Sequence, residues 1–335
     1  MGGPQKDANG KTKHSFDQPF GGYLEVKDAA NASALRGHFV AATGEFVGTF
    51  MFLVFAFLGH LMAVTQAGET GPDGTNSGST VIYISLSYGF ALLIAAWDMY
   101  RISGGLFNPA VTLGLVISGA VPPMRGLILF PVQIISGICA AALVSAIVPG
   151  DIKTVQTTLA PSVSVAQGVF LEMFLTAFFI FTILMLAAEK HKGTYIAPIG
   201  IGLALFIAEI AGVFYTGASL NPARSFGPCV AGRNFQSYHW IYWIGPGLGA
   251  LVASGYYHFV KFFNYEDANP GQDSSGGSLS RHGSEDSGEG GERGGDVEQG
   301  RGSGYEGRGR AQPSQQTNGN AGGYHPGYAA PSGRT

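Results

Sequence analysis

The sequence predicts an all-α membrane protein with six transmembrane helices and two half-helices arranged as an inverted repeat. Three observations predict it. Hydrophobic residues make up 46% of the 335 residues and charged residues only 12%, about half the charge of a soluble domain. Six apolar stretches are each long enough to span a bilayer, which takes about 20 residues. The tripeptide Asn-Pro-Ala occurs twice, at Asn108-Pro109-Ala110 and Asn221-Pro222-Ala223, and each copy opens an apolar segment too short to cross.

Residues 1–36 read as a polar N-terminal tail without the apolar centre of a secretory signal. Phe16, Phe20 and Tyr23 in this tail are candidates to plug the cytoplasmic mouth or to lie on the membrane surface. The membrane domain is expected over 37–263. Its spans fall at about 38–66, 80–99 and 123–148, then at about 165–188, 195–215 and 238–263. The short segments, about 108–118 and 221–231, precede the third span of each half. Three spans per half is an odd number, so the second half must sit upside down relative to the first. An inverted repeat with interrupted segments points to a transport site at mid-membrane. The first span of each half also carries a glutamate, Glu45 and Glu172. A carboxylate at membrane depth is costly and marks a function. Residues 264–335 are rich in Gly, Ser, Gln, Glu and Arg. They are too polar to bury a core and are expected to be disordered and cytoplasmic.

Orientation follows from Lys and Arg, which gather in cytoplasmic loops. Arg101, Arg125, Lys190, Lys192 and Lys261 lie on one side with Lys6, Lys11, Lys13 and Arg36. The opposite loops carry Glu69, Asp73 and Asp151, with Lys153 and Arg233 as their positive residues. Both termini are therefore expected in the cytoplasm of a protein integral to the plasma membrane. A net charge of −3 predicts no nucleic-acid partner. Cys139 and Cys229 lie in apolar segments and read as small buried hydrophobes. The sequence presents no nucleophile–base pair or metal-ligand cluster, so no enzyme, metal or cofactor is expected. His60, His191 and His239 are scattered near span ends and read as interfacial. Gly44 and Gly48 in span one, and Gly245, Gly249 and Gly255 with Ala253 in span six, read as sites of close helix packing.

The duplicated tripeptide has a physical reading. Irregular backbone survives in hydrocarbon only where it lines a cavity or is buried in protein. Two half-helices entering from opposite faces meet end to end at the centre. Proline suits the first helical position, where its missing N–H costs nothing. The preceding Asn caps the helix through its side-chain oxygen. Its amide is left to point into the lumen, so Asn108 and Asn221 are expected to face each other as donors. Each helix N-terminus adds about half a positive charge. Water passes such a barrier by exchanging hydrogen bonds, whereas a cation or proton meets the field without its hydration.

At these residues the chain resembles the aquaporins of the major intrinsic protein family. The resemblance covers about residues 38–263. It rests on Ser103-Gly104-Gly105 leading to Asn108-Pro109-Ala110-Val111-Thr112, and on Tyr215-Thr216-Gly217 leading to Asn221-Pro222-Ala223-Arg224-Ser225-Phe226-Gly227. Gln133 and the run from Trp240 to Pro246 complete it. The resemblance implies the aquaporin fold, a homotetramer in the lipid bilayer, and one pore per subunit. It implies osmotically driven passage of water with exclusion of protons and ions. It also implies that Glu45 and Glu172 brace the two reentrant loops by accepting backbone N–H bonds, with Gln133 in the same group.

In this family four residues form a narrow outer constriction. Counted from the motifs they are Tyr88, Glu209, Ala218 and Arg224. The large Tyr88, Ser225 after the arginine, and Tyr242-Trp243 all resemble the water-selective branch. Glu209 departs from it, because water-selective members usually carry His there. A carboxylate facing Arg224 is expected either to pair with it, weakening the positive field and tying conduction to pH, or to turn toward backbone donors. Ala218 replaces a cysteine that commonly confers mercury sensitivity, so resistance at that site is expected. Three other readings remain open from sequence: a channel that also passes glycerol or hydrogen peroxide, a secondary transporter, and a non-conducting junction protein.

Overall fold

The structure is a computed structural model that describes residues 29–70, 78–189, 191 and 193–270, with side chains for all but 29–33 and 68–70. Tyr23, Phe16, Phe20, Lys6, Lys11, Lys13, Asp73, Lys190, Lys192, the Glu69 side chain and nearly all of the C-terminal tail lie outside the described residues. The first half comprises α1 (Ala29–Thr70), α2 (Gly78–Met99), α3 (Pro109–Ile117) and α4 (Pro123–Ile147). The second comprises α5 (Val165–Ile183), α6 (Ala197–Thr216), α7 (Pro222–Ala231) and α8 (Ile241–Phe262), followed by a single turn, α9 (Tyr265–Ala268).

The expected spans and half-helices are all present. Helix α1 begins inside the segment expected as tail, because Ala29 to Arg36 contains no Pro or Gly to stop it and Ala is the strongest helix former. Helix α5 gives way at Leu184–Ala188 to one π turn that completes the crossing. Among the described residues, five segments are long and apolar enough to cross a membrane: Ala34–Ala67, Gly78–Met99, Pro123–Ile147, Val165–Ala188 and Thr194–Thr216. Helix α8, expected as the sixth, is diluted by Gly245, Gly247, Gly249, Tyr256, Tyr257 and His258. Its 22 residues still reach about 33 Å. Large side chains such as Phe55, Leu127, Phe174 and Leu251 are exposed on the helices, as lipid-facing residues of an integral membrane protein are.

Packing repeats between the halves. Helix α1 lies against α2 and α4, as α5 lies against α6 and α8. Helices α2 and α6 join the two halves. The half-helices cross over: α3 packs on α8, and α7 packs on α4. Each half therefore completes its short helix with the last span of the other.

Small residues set these approaches. A Cβ on Gly48 would lie 2.1 Å from the Phe107 ring, and one on Gly44 would lie 2.8 Å from Ile102. Gly44 thus receives the loop leading to α3 rather than a neighbouring helix as the spacing suggested, whereas Gly48 receives both that loop and Met99 of α2, 3.0 Å from its Cβ position. Gly249 sits against the backbone of α5 at Met173. Gly255 faces open space, which corrects its reading as a packing site.

The expected boundary of the C-terminal tail also shifts. Tyr265 Oη donates to Glu189 Oε2 at 3.2 Å, Lys261 Nζ reaches the same oxygen at 3.1 Å, and Tyr257 Oη donates to Glu189 Oε1. These bonds hold α9 against the end of α5. Partial burial raises the Glu189 carboxyl, but the Tyr257, Lys261 and Tyr265 partners outweigh it and hold the group below its ordinary value.

Candidate pore and constriction

Two matched loops carry the chain into α3 and α7. Phe107 and Leu220, the residues before each Asn, hold left-handed backbone at φ 52° and φ 50°. Side chains other than glycine rarely take that region, and surrounding bonds must enforce it. Here a buried glutamate does so in each half. Glu45 Oε1 accepts from Leu106 N at 2.9 Å and Ser103 Oγ at 2.8 Å, and its Oε2 accepts from Phe107 N at 2.8 Å. Glu172 Oε1 accepts from Ser219 N at 2.9 Å and Thr216 Oγ1 at 2.7 Å, and its Oε2 accepts from Leu220 N at 2.9 Å. Gln133 Nε2 donates to Glu45 Oε2 at 2.8 Å and to Thr112 Oγ1 at 2.9 Å. A Cβ on Gly245 would stand 2.7 Å from Glu172 Cβ, so α8 closes over this carboxylate.

Asn108 and Asn221 cap the half-helices. Asn108 Oδ1 accepts from Ala110 N at 2.8 Å, and Asn221 Oδ1 accepts from Ala223 N at 2.9 Å. Pro109 and Pro222 hold the first helical positions. The amides bond across the two halves. Asn108 Nδ2 donates to Leu220 O at 2.9 Å, and Asn221 Nδ2 donates to Phe107 O at 2.9 Å. One N–H of each amide is thus spent on the opposite loop, and the second remains.

Tyr88, Glu209 and Arg224 come together around one cavity of about 10 Å³, also lined by Asn108 and Asn221. That is the scale of a single water. Arg224 is buried, with its guanidinium carbon 4.6 Å from the Tyr88 ring centroid. Its Nη1 donates to Val155 O at 2.9 Å and its Nη2 to Gly217 O at 3.2 Å. Among the described residues no ion pair joins Arg224 to Glu209. The expected pairing is absent because two carbonyls and an aromatic face already hold the guanidinium. Glu209 is 1% exposed, and its Oε2 finds no backbone donor or other partner. Arg224 Nε is likewise unpartnered. The fourth residue, Ala218, is buried at φ 45° beside Gly212 and is not among the cavity's lining residues.

The sequence reading missed two contributors. Val155 belongs to a short 3-10 turn, Ile152–Val155, in the linker between the halves, and only its backbone oxygen takes part. His60, read as interfacial, is buried with Nδ1 3.3 Å from Tyr88 Oη. His239 is buried as well, 3.6 Å from Cys229 Sγ. Both cysteines are free thiols.

Comparison with known proteins agrees with this architecture. The family profile described as Major intrinsic protein matches residues 33–257. The chain is 57% identical over 250 residues to a protein named Probable aquaporin-3 from Gibberella zeae, covering 75% of this chain and 87% of that one. It is 59% identical over 241 residues to Aquaporin-7 from Botryotinia fuckeliana, covering 71% of this chain and 53% of the relative. It therefore spans about half the length of the second relative. Among solved structures it is similar to the aquaglyceroporin from Plasmodium falciparum, with a TM-score of 0.56 and 21% identity over 68% of this chain and 99% of that chain. This last likeness is one of fold. The family match runs from α1 through most of α8, so the chain belongs to the major intrinsic proteins, a family of membrane channels rather than enzymes.

Proposed function

We propose that the protein is a passive, water-selective channel driven by osmotic gradients, and that it excludes protons and ions. The observation that carries this reading is the cavity among Tyr88, Glu209 and Arg224, whose volume of about 10 Å³ suits one water and not the three-carbon chain of glycerol. Tyr88 narrows the passage, and Arg224 with the two capped helix starts sets the positive field that rejects cations. Glu209 supplies an acceptor, and Ala218 packs the loop against Gly212 of α6. Glu45, Glu172 and Gln133 hold the loops that place Asn108 and Asn221.

In this reading the channel works as a homotetramer in the plasma membrane with both termini in the cytoplasm. The segments before α1 and after α9 form its tails, and α1 through α9 form the channel domain. The test is light scattering from vesicles that hold the purified full-length protein, with sucrose and then glycerol as osmolyte. Fast shrinkage with a low activation energy and slow glycerol entry is the expected result. Fast glycerol entry would move the protein to a channel for small neutral solutes. Shrinkage no faster than that of empty vesicles would sink the channel reading.

A further inference from the structure

Three aromatic-ring neighbours on α1 hold the Tyr88 ring. Phe52 and Phe57 meet it edge to face, at centroid distances of 6.5 Å and 6.4 Å. His60 meets it at 5.9 Å and 72°. Of these only His60 can bond the hydroxyl, and its Nδ1 lies 3.3 Å from Tyr88 Oη. Gly59 brings α1 and α2 together at this level, since a Cβ there would stand 2.2 Å from Ser87 Oγ. Ser87 Oγ donates to Tyr83 O at 2.8 Å.

The Tyr88 hydroxyl has one hydrogen to give, and buried donors take a partner. His60 Nδ1 is the acceptor the structure offers it. We propose that His60 is a positioning residue for the constriction: its Nδ1 takes the Tyr88 hydroxyl hydrogen and so holds the ring in place beside Glu209 and Arg224, with which it lines one cavity. The histidine is then the tautomer with its hydrogen on Nε2. Without that acceptor the buried hydroxyl has to shift to find another partner, and the ring that lines the cavity shifts with it. This inference rests on the reading of Tyr88 and Glu209 as pore-lining.

A double-mutant cycle in full-length protein tests it. His60→Phe keeps the ring volume and removes the acceptor. Water permeability per incorporated channel should fall about threefold in the wild-type background. In the Tyr88→Phe background, which has no hydroxyl to misplace, the same change should alter flux by less than about 1.5-fold. His60→Gln, whose amide oxygen restores an acceptor, should conduct better than His60→Phe. Equal losses in both backgrounds would mean that His60 only packs, and would overturn the proposal. So would a His60→Phe channel that matches wild type, or a His60→Gln channel no better than His60→Phe. A wild-type protein that passes no water fails differently, because it removes the channel reading beneath.

Discussion

The guanidinium carbon of Arg224 lies 4.6 Å from the centroid of the Tyr88 ring, so the charge and the ring are one packed unit. Tyr88→Ala removes the ring and widens the passage. Glycerol uptake should rise by about tenfold, the scale of one missing pocket contact. Uptake by vesicles swelling in isosmotic glycerol measures it, and an unchanged rate would remove Tyr88 from the selectivity determinants.

Glu209→Gln keeps the shape of the side chain and removes its ability to ionise. Permeability or its pH response should differ from wild type, because Glu209 Oε2 has no protein partner to mask the change. Stopped-flow measurements across a pH series check this. Coincident profiles for the two proteins would mean that the solute does not use this oxygen.

Glu45→Ala orphans Leu106 N, Phe107 N and the Ser103 hydroxyl, and Glu172→Ala orphans Ser219 N, Leu220 N and the Thr216 hydroxyl. Each buried group left without a partner costs about 1–3 kcal/mol. Both variants should unfold at lower temperature in detergent, and Glu45→Gln less so than Glu45→Ala. Wild-type melting in the Ala variants would contradict the bracing role.

Glu189 gives a pH-dependent contact at the end of α5. Its folded value is held below the ordinary one, so the contribution to stability is complete above the ordinary carboxylate range. It is lost as pH falls through the lower folded value. Lys261 is partly exposed, which limits the ion pair to about 1 kcal/mol or less. Hydrogen-exchange protection at Tyr265–Ala268, measured against the intrinsic rate at each pH, should therefore be higher at neutral pH than in strong acid, and lower in Glu189→Ala than in wild type. Equal exchange in that variant at neutral pH would show that α9 docks by other means.

Mercurial reagents should leave water flux unchanged. Ala218 offers no thiol, and Cys229 is fully buried beside His239. Rapid inhibition that Cys229→Ser abolishes would show that this thiol is reachable from the pore.

Much of this architecture was legible in sequence because its signals are local. Pro109 and Pro222 suit the first position of a helix, and Asn108 and Asn221 before them suit its cap. Glu45 and Glu172 stood out as carboxylates where charge is costly. Other features were hidden because they depend on backbone or on distant neighbours. The left-handed turns at Phe107 and Leu220 carry no glycine to announce them. Val155 contributes only its carbonyl, which any residue would offer. His60 reaches the Tyr88 hydroxyl only through the meeting of α1 with α2 at Gly59. Glu209 could be placed near Arg224 by counting, but not its lack of a partner, since Arg224 had found carbonyls in two separate loops.

The crossed bonds from Asn108 to Leu220 and from Asn221 to Phe107 have a mechanical consequence. A carrier that rocked one half against the other would have to part both at once. Two loop carbonyls would then lose the donors that hold them. The seam acts as a rivet rather than a hinge, and motions that admit or stop a solute are left to single side chains.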